Sequence, residues 1–554
     1  NPDNGDIDIY SIRVYDAPLT DNQVLNNYIA DLTQAEKVVK NRQNNIFDSN
    51  NNVDYNKVKQ LIPVLIVTGP ELPADKGDKK NVRVDYVDTL NPNRNFTYEN
   101  VVWDVQGTSS VGYPRKNWKG KFPQKFSFYE GAIEENTYTF KADYMESSHA
   151  HNTGNAVFIN TIAPQFPTQV GNEKVRNTIY GYPIVMFYRK TLDSALEYQG
   201  VYNFNNDKGN ANTIGLTTDK SESWEFKNNT SSRCNFRSND FVNNVAEDFE
   251  ARYPDKYTNY TALSRVVSWV CSTGGNIEKF KEEFNQYFNL DACLFYYTML
   301  DVMLASDSRA KNMFLDTTDG LIWYPRWYDI DTCYGLDNNG FNKFNYGLEQ
   351  HDVFGSGYVY NGHDSLLWNN FEEAFKEEIE DYYVEMRRTG KLSYEAILSV
   401  LKEKQIDAIS EAMYNTDGDF KYVGPLIEEN DGSFLYVSQG SRLNHLQWWL
   451  SNRFRYLDSK YKYTDYTADD VYMKIYSPSG AVVTPNPSFT ITPFIDTYAS
   501  IKYASYDVQV RTTANTPTLV AAPNIDDFVA NDSEIFIYGA SQLTDLGDLS
   551  NKYI

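Results

Sequence analysis

The stretch ASDSRAKNMFL, residues 305–315, decides how the rest of this 554-residue chain is read. It places Asp307 and Asn312 five positions apart, between a long apolar segment and a short strand-like apolar phrase. A carboxylate followed at that distance by a carboxamide suits phosphoryl transfer, where the first faces the acceptor hydroxyl and the second ligates metal. Taken alone, the same pair reads equally as a loop Asp capping a turn. The preceding segment, FNLDACLFYYTMLDVMLA (288–305), is apolar nearly all round, which predicts a buried helix.

Downstream, WYPRWYDIDTCYGLDNNG (323–340) carries Asp329 and Asp331 two apart. On a strand both carboxylates face one side, and two like charges there need a cation or a basic partner between them. Mg²⁺, which takes oxygen ligands and commonly one or two carboxylates, suits the pair; a solvated turn or a structural Ca²⁺ site is the alternative. Upstream, WDVQGTSSVGYPRKNWKGKF (103–122) is a strand, a small-residue turn and a basic strand with Arg115, Lys116, Lys119 and Lys121. Backbone amides of such a turn can cradle phosphate oxygens beside a lysine, while a basic edge strand that guards against aggregation is the plainer reading.

Composition narrows the field. Hydrophobic residues make 41% and charged residues 23% of the chain, which is globular. A net charge of −24 repels phosphate backbones, so no direct nucleic-acid binding is expected. The aromatic share of 15% suits a large core or an assembly surface. Four scattered cysteines without a CxxC pair, and five histidines without HExxH, disfavour zinc and a disulfide scaffold. No apolar run is long enough to span a bilayer.

Along the chain, DIDIYSIRVYDAPLTDNQVLNNY (6–28) reads as a strand and then a helix with an N-cap at Thr20–Asp21, and Asn-rich residues 41–56 read as a linker. Strands are predicted in LIPVLIVTG, VRVDYVD and NVVWDVQG; helices at 281–305, 366–388, 393–414 and 441–460; short β runs after 465. Strands first and helices afterwards predict an α+β fold with a sheet lobe and a helical lobe.

In the same order along the chain, GTSSVGYPRKNW, FKADYMESS, EYQGVYNFNND, DSRAKNMF and PRWYDIDTCYG resemble the phrases of the CotH family of atypical, spore-coat-associated kinases, over roughly residues 60–465. The resemblance implies a two-lobed, protein-kinase-related fold that uses ATP and Mg²⁺. It implies Asp307 as the catalytic carboxylate, Asn312 and Asp329 as metal ligands with Asp331 beside them, and Lys116 or Arg115 on the nucleotide phosphates. It also implies Glu146 as an acid able to pair a lysine, a position that reads equally as a surface acid. Two places depart from the pattern: His149 and His151 stand where the family tends to have Arg, and Arg326 and Trp327-Tyr328 precede the Asp where it has Pro-Trp.

The N-terminal phrase resembles the end of a concanavalin-like LamG domain. DSRAKNMF, VYNGHDSLLW, WWLSNRFRYLDSKY and IYGASQLTDLGDLS resemble segments of large tail-associated proteins of crAss-like and related phages of gut bacteria. The domains expected are 1–58, the concanavalin-like end with helix and linker; 59–465, the CotH-like kinase-fold domain; 466–540, a small β domain; and 541–554, the start of a further segment. Three functions follow as expectations. The first is a structural virion protein of the phage tail, made in the bacterial host cytoplasm, whose partners are its own copies, other virion proteins or host surface glycans and proteins. The second is an active kinase acting on Ser, Thr or Tyr. The third is a carbohydrate-binding or carbohydrate-active protein, because two carboxylates flanking a sugar can hydrolyse a glycoside.

Overall fold

The computed structural model describes residues 45–463, apart from 108, 145–147, 165–173, 306, 338–340, 343, 352–361 and most of 403–438, and beyond them the strand segments 472–476, 505–513, 516–519 and 534–542. The concanavalin-like reading of residues 6–28 and the position of Glu146 lie outside the described residues. The chain divides into two compact units, the first of residues 1–157, 169–215 and 401–439, the second of 158–168, 216–400 and 440–554.

The first unit is built on β1 (Val64–Thr68), β2 (Lys80–Val87), β3 (Phe96–Gln106), β4 (Asn117–Phe126), β5 (Glu135–Lys141), β6 (Gly181–Arg189) and β7 (Glu197–Asn206), with helix α1 (His151–Ile162) beginning after β5. These strands form a closed barrel in the order β1-β2-β3-β4-β5-β7-β6. All neighbours pair antiparallel except β1 and β6, which run parallel from Val64↔Val185 to Thr68↔Arg189. Alternation sends Val82, Val84 and Tyr86 of β2, and Val101, Trp103 and Val105 of β3, into one interior cluster with Tyr138, Phe140 and Phe204. Gly120 of β4 is a packing requirement: a Cβ there would lie 2.8 Å from the Trp103 ring.

The uninterrupted apolar run of β1 has a cause. Leu65 and Val67 face the barrel interior, while Val64 and Ile66 join Val185, Phe187 and Val201 in a second cluster on the outer face. Ile46, Val58 and Ile62 are part of that outer cluster, so residues 45–62, which include the end of the Asn-rich stretch, pack against the barrel. A strand buried on both faces has no polar side to alternate with.

The second unit contains a four-stranded antiparallel sheet of β8 (Glu222–Phe226), β9 (Phe249–Tyr253), β10 (Met313–Thr317) and β11 (Tyr324–Trp327), in the order β11-β10-β8-β9. Its helices include α2 (Thr261–Ser272), α3 (Ile277–Glu283), α4 (Leu290–Met303), α5 (Leu366–Ala374), α6 (Lys376–Arg388), α7 (Tyr394–Leu401, which ends at the unit boundary) and α8 (Gln439–Lys460). Every side chain of α4 from Ala292 to Met303 is buried, and Asn289 caps the helix by accepting from the Ala292 N–H at 2.8 Å. Farther along, β12 (Tyr472–Tyr476), β13 (Ser505–Thr513), β14 (Thr516–Leu519) and β15 (Glu534–Gln542) pair as an antiparallel sheet in the order β12-β15-β13-β14.

This architecture corrects the expected two-lobed kinase-related fold. The protein is mixed α+β, but its strand-rich part is a closed seven-stranded barrel and its helix-rich part has a sheet of its own. Periodicity locates strands without saying which pair. The parallel contact between β1 and β6, which closes the barrel, joins segments more than a hundred residues apart and leaves no local signature. No helix among the described residues is long and apolar enough to cross a membrane.

Candidate functional site

Helix α4 ends at Leu304, which takes the left-handed conformation (φ 46°) as C-cap. Non-glycine residues resist that conformation, and it recurs at Asn312 (φ 54°), Asp329 (φ 55°) and Tyr334 (φ 58°). Asn and Asp tolerate it through local hydrogen bonding; Leu and Tyr adopt it only where surrounding packing imposes it. Four such positions within about thirty residues mark an imposed loop geometry.

The loop 307–312 is held from several sides. Tyr296 lies between the rings of Trp327 and Trp368, at 4.1 and 5.2 Å, and donates its hydroxyl to the Ser308 carbonyl at 2.7 Å. Trp368 donates Nε1–H to the Arg309 carbonyl at 3.0 Å, and the Asn312 N–H donates to the Phe226 carbonyl at 3.1 Å. The fully buried Arg309 guanidinium donates to the Gly362 carbonyl (3.2 Å), Gln350 Oε1 (2.6 Å) and Asn369 Oδ1 (2.7 Å). Gly362, at φ 74°, lies so close to the loop that a Cβ there would come within 2.7 Å of Ala310 Cβ.

This frame presents Asp307, which is 5% exposed. Asn229 donates Nδ2–H to its Oδ1 at 3.0 Å, Asn312 donates to Oδ2 at 3.2 Å, and the Lys311 ammonium is 3.1 Å from Oδ2. Burial pushes the Asp307 carboxyl up to about 6 against the pull of Lys311, and the nearby Asp329 adds to the rise. Burial presses the Lys311 ammonium toward neutrality, but the charges of Asp307, Asp329 and Asp331 outweigh it and hold Lys311 above its ordinary range. A carboxyl group in this setting can accept and return a proton near neutrality.

The structure places Asp307, Asn312, Asp329 and Asp331 in the second unit, with Asn312 bonded to Asp307 and the charges of Asp329 and Asp331 acting on Lys311. Asp329 and Asp331 lie in the turn beyond β11 rather than on a strand, on either side of the buried Ile330. Arg115 and Lys116 belong to the first unit. The Arg115 guanidinium donates to the Val201 carbonyl and lies over the Tyr202 ring at 5.2 Å, and Lys116 Nζ donates to the Val111 carbonyl at 2.6 Å. Of the two departing histidines, His149 is fully buried at φ 54°, with its carbonyl accepting from Asn203 Nδ2 at 2.8 Å, and His151 is also buried. Arg326 has a structural role. It pairs with Asp316 across the β10–β11 ladder, donates to Ser223 Oγ at 3.1 Å and lies over the Phe314 ring at 4.1 Å.

Sequence reasoning missed Asn229, Lys311, Arg309 and Gly362. Lys311 was within reach, since it stands inside the quoted motif four residues from Asp307. Asn229 was not, because KNNTSSRC has no feature that links it to a loop some eighty residues away.

The donor set of Asn312, Asp329 and Asp331 is all oxygen, the chemistry a hard cation such as Mg²⁺ requires. Among the described residues no group of three or more His, Cys, Asp and Glu could hold a metal ion. The chemistry of these donors suits an ion that takes most of its coordination from phosphate and water, as Mg²⁺ does in phosphoryl transfer. No known family model matches this chain, and no curated protein matches it significantly.

Proposed function

We propose that the second unit houses a phosphoryl-transfer centre in which Asp307 is the base for the acceptor hydroxyl. The observation that carries the reading is the convergence of Asn229, Asn312 and Lys311 on one buried carboxylate, beside Asp329 and on a loop clamped by Arg309 and Tyr296. The resemblance of DSRAKNMF and PRWYDIDTCYG to CotH phrases supplies the reaction class, and the reading asks nothing of the barrel.

In this reaction the acceptor O–H gives its proton to Asp307 while its oxygen bonds to the terminal phosphorus of ATP. The P–O bond bridging the β and γ phosphates breaks, and ADP leaves with the bonding electrons. Asn229 and Asn312 hold the carboxylate in one orientation by donating to both of its oxygens. Mg²⁺, held by Asn312, Asp329 and Asp331 together with the phosphates, would neutralise the charge that develops on them. Incorporation of label from γ-labelled ATP into the protein or into Ser-, Thr- and Tyr-containing acceptors tests the reading, with Asp307→Asn and Asp329→Asn as controls.

A tail-associated virion role is a second reading, favoured by the sheet β12-β15-β13-β14 that follows the site-bearing helices and by the phage-like phrases near it. Mass spectrometry of purified particles tests it: absence of the chain from intact tails removes the proposal.

A further inference from the structure

We propose that Lys311 is an internal counter-ion of this centre, a resident cation that a divalent metal has to displace and that thereby makes metal binding depend on nucleotide. The inference rests on the phosphoryl-transfer reading and goes beyond it, because it gives the lysine a role in admitting metal.

Three carboxylates, Asp307, Asp329 and Asp331, share the electrostatic neighbourhood of the Lys311 ammonium, which lies 3.1 Å from Asp307 Oδ2. Asn312, a residue that would hold metal, donates to that same oxygen at 3.2 Å. A divalent cation entering beside Asn312 therefore meets a like charge within a few ångströms, a repulsion that costs several-fold to many-fold in affinity even at a partly wet site. The Lys311 side chain is 36% exposed, so its flexible stem can carry the ammonium off Asp307 without unpacking the loop.

A polyphosphate supplies the new partner. Its oxygens offer the ammonium a stronger contact than one carboxylate oxygen, and the vacated position then favours the metal. Metal and nucleotide so become mutually reinforcing, and linkage makes the effect reciprocal. A centre of this kind stays free of metal until its donor substrate arrives.

The test is titration with Mn²⁺, followed by electron paramagnetic resonance, with and without the β,γ-imido analogue of ATP, on the full chain. For wild type, Mn²⁺ alone is expected to bind weakly, and the analogue to tighten it by about tenfold or more. For Lys311→Met, Mn²⁺ alone is expected to bind about tenfold or more tighter than to wild type, with little further gain from the analogue. Lys311→Arg keeps the charge and is expected to track wild type; Lys311→Gln repeats the neutral arm should the Met variant fold poorly. Mn²⁺ affinity that is unchanged or weakened in both neutral variants overturns the counter-ion role and leaves the transfer reading standing. An analogue that binds none of the proteins, while the neutral variants still gain Mn²⁺ affinity, overturns the transfer reading and the nucleotide dependence, and leaves only the displaceable counter-ion in place.

Discussion

The barrel and the site-bearing unit differ in which groups lie deepest in their cores. The interior cluster of the barrel is apolar and aromatic; charged side chains of its strands such as Asp85 and Lys141 are buried as well, and Arg83 pairs with Asp85 and with the exposed Glu99. In the second unit, charged side chains reach full burial. Arg453 is fully buried and donates to the carbonyls of Asp301 (2.8 Å), Tyr346 (2.6 Å) and Leu348 (2.5 Å). Asp301, also fully buried, accepts from Lys460 Nζ at 2.8 Å, Gln350 Nε2 at 2.9 Å and the Tyr461 hydroxyl. Arg387 and Asp458 join α6 to α8 through bonds of 2.9 and 3.1 Å.

Apolar burial is non-directional and tolerates small shifts, whereas a buried ion pair fixes distances and angles. The difference places directional interactions where loops must be held. Gln350 links the two systems, since it donates to Asp301 and accepts from Arg309 behind the Asp307 loop.

The largest effects come from breaking each core by its own logic. Arg453→Met leaves Asp301 short of a partner and is expected to destabilise the second unit by about 3–5 kcal/mol. Trp103→Ala opens a cavity in the barrel and is expected to cost about as much, ~3–5 kcal/mol. Hydrogen exchange separates the two. Protection of α4 and α8 should fall in the first variant, and protection of β2–β4 in the second; uniform loss in both would mean that the contrast is false.

A smaller effect, about 1–3 kcal/mol, is expected for Gly362→Ala, from left-handed strain and the clash with Ala310. Because Gly362 lies behind the loop, its variant should lose phosphoryl-transfer turnover out of proportion to its change in melting temperature. Equal, small losses in both would deny Gly362 a positioning role.

Acid gives a graded version of the same contrast. Burial pushes the Asp301 carboxyl up, but the charges of Lys460 and Arg453 and the bonds from Lys460 and Tyr461 outweigh it and hold Asp301 below its ordinary range. A depressed folded-state value contributes stability that is present above the unfolded value of about 3.9 and is lost as pH falls through the folded value. Protection of α4 and α8 should therefore decline below about pH 4, and Asp301→Asn should show a shallower decline there. The smallest effect is on the barrel surface, where Glu99→Gln removes an exposed partner of Arg83 and should change stability by less than about 1 kcal/mol.

How much of this was legible in the sequence follows the same divide. VRVDYVD and NVVWDVQG announced strands because their alternation survives, with Val82, Val84 and Tyr86 pointing inward. Of the helix predicted over 281–305, the apolar part is α4 (Leu290–Met303), while 281–286 belongs to the end of α3 and a separate turn of helix; the helix predicted over 441–460 is α8 (Gln439–Lys460). Barrel closure did not show, since it depends on a parallel pairing of β1 with β6. Within the site, Asp307 and Asn312 were readable because one continuous stretch carries both, and Asp329 because its acidic pair is conspicuous. Asn229, Arg309 and Gly362 act through hydrogen bonds and close approach across the fold, which no local pattern encodes. Arg326 read as a departure from a family phrase, yet its partner Asp316, ten residues upstream, explains it as a buried pair of the sheet.

The central claim is that Asp307 serves as a base in phosphoryl transfer, and single-turnover transfer from γ-labelled ATP with Mg²⁺ tests it most directly. Wild type is expected to incorporate label, with Asp307→Asn and Asp329→Asn each slower by about a hundredfold or more while remaining folded. Incorporation equal in all three proteins, or absent from wild type across Ser, Thr and Tyr acceptors, would contradict it.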